Sequence, residues 1–171
     1  MAPRVMHRGF VAGETLQFGD VAIQTRALNH PGGCTAFRFE RAGACVTYAT
    51  DVEHLGPEPD PEMIRFVTGS DLLIYDTMLN EQEATQCVGW GHSTSVGGAA
   101  LALAAGISRL AAFHHNPAHD DRMLAQLEAA LRQRLPDSFY AREGQCVALP
   151  GQTPMLSMSR TLGRRAATSR R

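Results

Sequence analysis

Two short apolar runs in the second half of the chain constrain its fold most strongly. DLLIYD (71–76) and ISRLAAF (107–113) are rich in aliphatic residues, which is typical of strands buried on both faces of a sheet. Between them, SVGGAALALAAG (95–106) is small and apolar, and this composition predicts a helix lying close against the sheet. The pattern predicts an α/β layered architecture with functional loops at the strand ends.

Further elements are predicted on both sides of these runs. VAIQTRAL (21–28) has strand character, and CTAFRFERAGACVTYAT (34–50) is typical of a hairpin whose turn is Arg41 to Ala44. A helix is expected to begin after Asp60, with Pro61 at its first position, and to end near Gly69.

The carboxyl-terminal part contains one long amphipathic pattern. In DDRMLAQLEAALRQRL, four apolar residues recur four positions apart and predict a helix that faces the core: Met123, Leu127, Leu131 and Leu135. FYAREGQCVAL (139–149) is expected to close the domain as a short hairpin or strand pair. Residues 1–150 therefore form one predicted domain, and the Arg-rich segment 151–171 is predicted to be a disordered tail.

Composition excludes several classes of protein. The formal net charge of -1 gives no indication of a strongly charged partner. The four cysteines are widely spaced and form no CxxC pair, so neither a zinc knuckle nor a disulfide framework is expected. The chain shows no charged-then-apolar leader and no apolar run of about 18 residues, and we expect a cytoplasmic protein without a membrane segment.

Four short stretches place metal-capable side chains just after apolar runs. They are LNHPGG with His30, YATDVEH with Asp51, WGHSTS with His92, and FHHNPAHDD with His114 and His115. Hydrolytic dinuclear sites need neutral imidazoles and a carboxylate that bridges two cations. A single histidine after a strand is more often a hydrogen-bonded loop residue than a metal ligand. The prediction of a metal site therefore rests on the occurrence of all four stretches in one chain.

Three neighbouring residues receive a simpler interpretation. His119 precedes the long helix and is predicted to be a surface or capping residue. Asp120 and Asp121 are expected to be first-turn acids, which favour a helix N-terminus.

The order of the motifs NHPGG, YATD, DLLIYD, GHSTS and LAAFHHNP resembles the metallo-β-lactamase fold superfamily. Within it, the chain is similar to the branch that contains ribonuclease Z and the cyclic-phosphodiester hydrolases of phosphonate metabolism. The resemblance covers about residues 15 to 150 and implies part of an αββα fold, with mixed sheet layers and flanking helices.

The resemblance also implies roles for individual residues. His30 would be a ligand of the first metal, Asp51 the carboxylate shared between two metals, and His114 a ligand of the second, with His115 as the alternative. His92 would stabilise or protonate a phosphoryl oxygen or leaving group, and Asp76 would orient it through a carboxylate–imidazole pair.

The chain departs from the family at one motif. The HxHxDH pattern that supplies two ligands to each metal occurs nowhere in it. Each metal would keep only about two protein ligands, where zinc normally has three or four, so affinity is expected to be low. We expect that the chain is the carboxyl-terminal part of a longer domain, lacking the sheet that would cover this one, and that it oligomerises or needs an amino-terminal partner.

The predicted function is a metal-dependent hydrolase of a phosphodiester or related ester, with low activity expected for this chain alone. Its cofactor would be a divalent metal, zinc first, with manganese or iron as alternatives. We expect a small-molecule substrate, because the near-neutral charge disfavours a large RNA. The alternative is a non-catalytic domain of the same fold that binds a partner or nucleotide-like ligand, and a third hypothesis is a site completed by ligands from a second chain.

Overall fold

Seven strands form one mixed sheet in which the spatial order of the strands follows the chain. The computed structural model describes residues 7–149, except 55 and 57. The strands are β1 (Thr15–Phe18), β2 (Val21–Leu28), β3 (Cys34–Arg41), β4 (Ala44–Ala49), β5 (Leu72–Asp76), β6 (Leu110–Phe113) and β7 (Phe139–Tyr140). The pairings from β1 to β4 are antiparallel, and those from β4 to β7 are parallel. The predicted α/β class is confirmed.

Helices connect the parallel strands. They are α1 (Pro61–Val67), α2 (Glu81–Gln86), α3 (Ser95–Ala104) and α4 (Asp121–Arg134). Parallel neighbours cannot be joined by a tight turn, so each connection must cross the sheet, usually through a helix. Within the described residues, no helix is both long enough and apolar enough to cross a lipid bilayer.

The hairpin between β3 and β4 forms as predicted, with Arg41 paired to Ala44. Its two central residues, Ala42 and Gly43, have φ of 49° and 80°, which is the left-handed backbone that a two-residue hairpin loop requires. The expected start of α1 is also confirmed, because the Asp60 side chain accepts a hydrogen bond from the backbone N–H of Glu62.

The main core lies between one face of the sheet and the layer formed by α1, α3 and α4. Buried residues from the helices, such as Val67, Leu101 and Leu131, pack with Leu73 and Leu110 of the central strands. Burial of these aliphatic side chains supplies the main stabilisation of the fold, roughly 1.5–3 kcal/mol for each.

Helix α3 approaches the sheet as closely as its glycines allow. A Cβ built on Gly98 would lie 2.8 Å from Cδ1 of Tyr75 and 3.2 Å from Cδ1 of Leu110. Tyr75 is fully buried, so its ring has no space in which to move. The predicted close packing of this small-residue helix is confirmed.

The structure differs from the sequence predictions at three places. The predicted hairpin over residues 139–149 is wrong, since only Phe139–Tyr140 pair with β6. Val147 and Leu149 instead pack against a small apolar cluster on the sheet. Strand β6 begins later than expected, because the N–H of Ile107 donates to the carbonyl of Ala102 and closes the end of α3. Helix α2 had not been predicted, and the predicted tail 151–171 lies outside the described residues.

Gly98→Ala is predicted to destabilise the protein. Alanine favours an α-helix by about 1 kcal/mol over glycine, whereas overpacking a filled core costs about 1–3 kcal/mol. Since Tyr75 cannot yield, the overpacking cost is expected at the upper end of this range, which leaves a net loss of about 2 kcal/mol in the free energy of unfolding, measured by urea denaturation. Leu103→Ala on the same helix is the control, because Leu103 is 59% exposed. Stabilisation by Gly98→Ala would contradict the close packing.

Candidate metal centre

The parallel pairing of β4, β5 and β6 brings three strand ends to one edge of the sheet. Asp76 is the last residue of β5, and His114 follows the last residue of β6 directly. Asp51 lies two residues beyond the end of β4. Polar residues at the carboxyl ends of neighbouring parallel strands therefore meet, as they do in open α/β sheets generally.

The side chains of Asp51, Asp76, His92 and His114 form a compact group. One ligand-capable atom from each lies within 4.8 Å of those of the other three. His92 comes from the loop between α2 and α3, immediately before Ser93 and the capping residue of α3. Two carboxylates and two imidazoles at this separation can hold a divalent cation.

Asp76 is the most deeply placed residue of the group and is fully buried. Its Oδ2 accepts hydrogen bonds from the N–H of Asp51 at 2.9 Å and from Nδ1 of His92 at 3.0 Å. Its Oδ1 accepts from the N–H groups of Met78 at 3.0 Å and Ser93 at 3.2 Å. A buried carboxylate is tolerated only when it is paired and hydrogen-bonded, and these donors satisfy both oxygens.

His114 lies at the open side of the group. Its Nδ1 is 3.2 Å from Oδ2 of Asp76, and its Nε2 is 3.7 Å from Oδ1 of Asp51. The short contact to Asp76 is not aligned as a hydrogen bond, so this buried Nδ1 has no hydrogen-bond partner. Buried polar atoms almost always have a partner. An unpartnered nitrogen 3.2 Å from a buried carboxylate oxygen points to a proton or a cation between the two atoms.

The backbone at Asp51 and His114 is strained. Their φ values are 59° and 61°, in the left-handed region that residues other than glycine rarely adopt. Each such residue costs about 1–3 kcal/mol and persists only where its surroundings impose it. Such strain concentrates at functional sites, and here it occurs at the two strand-end residues of the group that face the open cleft.

His30 lies beside this group without belonging to it. It follows β2, which runs parallel to β4, and its ring centroid is 5.8 Å from that of His92. Its Nδ1 accepts a hydrogen bond from the N–H of Gly32 at 3.2 Å. Gly91 packs directly against the ring, since a Cβ at Gly91 would overlap His30 and lie 2.8 Å from Cδ of Pro31.

Glu53 fixes the loop that carries His92. Its two carboxylate oxygens accept hydrogen bonds from the N–H groups of Gly89 at 2.7 Å and Gly91 at 2.9 Å. No sequence pattern indicated this role, although Glu53 lies only two residues after Asp51. The loop is therefore held by the same segment that supplies the carboxylate of the centre.

A buried polar chain lies behind His92. The hydroxyl of Tyr75 is 3.1 Å from Nε2 of His54 and 3.4 Å from Oγ of Ser93, and Ser93 donates to the carbonyl of Val52 at 2.6 Å. Burial lowers the pKa of His54, which keeps its imidazole neutral at neutral pH. Burial likewise raises the pKa of Tyr75. These contacts fix Ser93, the neighbour of His92.

The three histidines of the FHHNPAHDD segment lie in three different environments. His114 belongs to the group, whereas Nε2 of His115 is 3.2 Å from the carbonyl of Ala141 and its ring stacks on Tyr140. The prediction of His119 as a surface residue is wrong, because its side chain is only 2% exposed and its Nε2 donates to Glu83 at 2.8 Å. This pairing joins α2 to the segment before α4, and no sequence pattern indicated it.

Comparison with known proteins identifies the family. A family model described as a beta-lactamase superfamily domain matches residues 2–115. Ribonuclease Z of Picrophilus torridus is 29% identical over 103 residues, which are 60% of this chain and 31% of that protein. Several other ribonuclease Z sequences match over shorter or similar lengths.

Two solved structures share the fold. The metallo-β-lactamase fold protein YhfI from Bacillus subtilis has a TM-score of 0.62 at 21% identity, covering 79% of this chain and 52% of that one. Zn²⁺-bound PqqB from Methylobacterium extorquens has a TM-score of 0.64 at 14% identity, covering 82% and 55%.

The chain belongs to the metallo-β-lactamase superfamily, in its ribonuclease Z-like branch. It spans about a third of the Picrophilus protein and about half of the two solved chains. The family and fold that the motif order predicted are confirmed.

Gly91→Ala is predicted to disturb this edge of the sheet more than Gly89→Ala. Both residues have left-handed φ, 87° and 83°, and both donate to Glu53. Only Gly91 lies against His30, while a Cβ at Gly89 meets nothing within 4 Å. The common backbone strain cancels in the comparison. We expect Gly91→Ala to lower the free energy of unfolding by about 1–3 kcal/mol more than Gly89→Ala, measured by urea denaturation, and equal losses would contradict the His30 contact.

Proposed function

We propose that this chain carries the catalytic centre of a metal-dependent hydrolase acting on a phosphodiester or related ester. The observation that supports this most directly is the convergence of Asp51, Asp76, His92 and His114 within 4.8 Å. Carboxylate oxygens and imidazole nitrogens are the ligands of hydrolytic metal sites. The relatives named ribonuclease Z favour a phosphodiester among the esters that this fold accepts.

Asp51 and His114 are the proposed metal ligands within this group. Both side chains are about one-third exposed, at 36% and 37%, so both are accessible from the cleft. The 3.7 Å separation between Nε2 of His114 and Oδ1 of Asp51 and the strained backbone of both residues support the assignment. A divalent cation held there would supply Lewis-acid polarisation of the scissile group.

The ligand set of this chain is small. Asp76 already accepts four N–H donors, so its oxygens are engaged in holding the site together. Zinc normally takes three or four protein ligands. We therefore propose weak metal binding by this chain alone, with His30 as a further ligand if its ring turns toward the group.

His92 is the proposed general acid. Nδ1 of His92 donates a hydrogen bond to Asp76. Nε2 of His92 is therefore the atom that can present a proton to a leaving-group oxygen. The paired carboxylate also holds the imidazole ring in this orientation. The side chain of His92 is 13% exposed, so bulk water has little access to the transferred proton.

We infer zinc, with manganese or iron as alternatives, because mixed imidazole and carboxylate ligands suit all three ions. All four cysteines are free, which is consistent with the reducing environment of the cytoplasm, where we propose that the protein acts.

A small-molecule diester is the proposed substrate. RNA binding draws most of its affinity from Lys and Arg contacts with phosphates, and the net charge of this chain is -1. The ribonuclease Z relatives make RNA the alternative substrate. Hydrolysis of a short cyclic or aryl diester but not of a structured RNA would decide for the small molecule.

His114→Gln is predicted to weaken metal binding at least 10-fold, whereas the neighbouring His115→Gln leaves it unchanged. The removal of one imidazole from so small a ligand set leaves the cation poorly held. His115 instead points to Ala141 and Tyr140. Calorimetric titration of the full chain with zinc chloride measures both affinities, and circular dichroism verifies folding.

Two outcomes of this titration would contradict the assignment. A larger loss in His115→Gln would make that residue the ligand. Failure of the wild-type chain to bind zinc, manganese or iron, together with no turnover of bis(p-nitrophenyl) phosphate, would favour the non-catalytic binding domain.

His92→Gln is predicted to slow hydrolysis in a manner that depends on the leaving group. A nitrophenolate departs without protonation, whereas an alkoxide needs an acid, and general acid catalysis contributes about 10²–10⁴-fold. We expect a loss of that order with an alkyl diester and a much smaller loss with bis(p-nitrophenyl) phosphate. Equal losses with both substrates would remove His92 from the role of acid.

A further inference from the structure

His92 lies between two carboxylates that hold the chain on either side of it. On the carboxyl-terminal side, Asp76 accepts hydrogen bonds from Nδ1 of His92 and from the N–H of Ser93. On the amino-terminal side, Glu53 accepts from the N–H of Gly91, which directly precedes His92, at 2.9 Å. Asp76 fixes the ring and the following residue, so the path by which the chain reaches His92 depends on Glu53.

The exposed loop before His92 is tied down by Glu53. The side chains of Val88 and Trp90 are 76% and 59% exposed. The N–H of Trp90 donates to the carbonyl of Cys87 at 3.1 Å, which is a contact within the turn itself. In the part of the chain that the structure describes, the hydrogen bonds that join residues 88–91 to another segment both go to Glu53. Exposed loops are mobile unless their backbone is held, so loss of this carboxylate would release the loop.

The two glycines of this loop allow it to present two N–H groups to one carboxylate. Gly89 and Gly91 have φ of 83° and 87°, and they donate to different oxygens of Glu53. Concave arrays of backbone N–H groups bind anions. Here the anion is a side chain of the same molecule, and it follows the strand end that supplies Asp51.

The backbone of Glu53 holds the segment of His30 as well. Its N–H donates to the carbonyl of Asn29 at 3.0 Å, and its carbonyl accepts from Nδ2 of Asn29 at 3.1 Å. Asn29 directly precedes His30, whose ring centroid is 5.8 Å from that of His92. One residue thus spaces two histidine loops: its backbone holds the first and its side chain holds the second.

We propose that Glu53 is a positioning residue that holds His92 for acid catalysis. This inference rests on the proposed function for its catalytic consequence, because a general acid must lie within hydrogen-bond reach of the leaving-group oxygen. A displacement of about 1 Å at such a group can cost about 10²-fold in rate. Glu53 acts through the loop, so that Nε2 of His92 keeps one position while Nδ1 stays on Asp76.

Glu53→Gln separates the role of the side chain from that of the backbone. The glutamine side chain has the same length, but an NH₂ group replaces one of the two acceptor oxygens. One N–H group of the loop therefore loses its partner, while the backbone hydrogen bonds with Asn29 remain. Glu81→Gln is the matched control, because Glu81 is exposed on α2 and the substitution makes the same change of charge.

The first measurement needs neither a metal nor turnover. Nuclear magnetic resonance relaxation of the ¹⁵N-labelled full chain gives backbone order parameters for Gly89, Gly91 and His92. We expect values of about 0.85 in the wild-type chain and in Glu81→Gln, and a fall toward about 0.6 in Glu53→Gln. Unchanged order parameters in Glu53→Gln would overturn the proposal, whether or not the chain hydrolyses any ester.

The second measurement compares two substrates. We expect Glu53→Gln to slow hydrolysis of an alkyl diester at least ~10-fold, with a much smaller loss on bis(p-nitrophenyl) phosphate, whose leaving group needs no acid. Glu53→Gln combined with His92→Gln should lose no more activity than His92→Gln alone, because Glu53 acts through His92. Zinc affinity should be unchanged, since the carboxylate of Glu53 binds the loop and not the proposed ligands.

The two measurements distinguish this proposal from the proposed function. Equal losses on both diesters, or a further loss in the double variant, would make Glu53 a purely structural residue and overturn the positioning role. A wild-type chain that hydrolyses neither diester would overturn the proposed function together with the acid role. The order parameters would then decide by themselves whether Glu53 holds His92 in place.

Discussion

The buried carboxylate of Asp76 is the interaction on which the rest of this structure depends. It accepts N–H groups from the segment after β4, from the segment after β5 and from the loop before α3, so it joins three separate pieces of chain. Such a charge is stable only while every oxygen is satisfied. The positions of Asp51 and His92 follow from it, and both lie within one cluster because one side chain binds both of them.

The sheet explains why this arrangement arises from distant residues. Each parallel connection returns the chain to the same edge, where Asp76 ends β5, His114 follows β6 and Asp51 lies two residues after β4. On the face that carries the core, α3 packs closely on β5, because Gly98 lies directly against the ring of Tyr75. The hydrophobic core between the sheet and the helices thus positions the strand ends that carry the metal-binding group.

Much of this could be predicted from the sequence, because the strongest signals are local. The apolar run of β5, the hairpin turn at Gly43 and the cap at Asp60 depend on neighbours in the chain, and the order of short motifs indicated the family. The pairing of His119 with Glu83 and the polar chain from His54 to Ser93 depend on residues brought together only by folding. The second arm of the hairpin predicted over residues 139–149 does not form, and the short helix α2 was not predicted from its sequence.

The left-handed backbone at Asp51 and His114 has a consequence for how such a protein can change. Glycine at either position would relieve about 1–3 kcal/mol of strain, yet it would delete the side chain that faces the cleft. Directed evolution for heat resistance alone would therefore favour replacements that erase this cluster, as happens where stability and activity oppose each other. Aspartate and histidine at these two dihedral angles thus lower the stability of the fold while they place two ligand-capable side chains at the cleft.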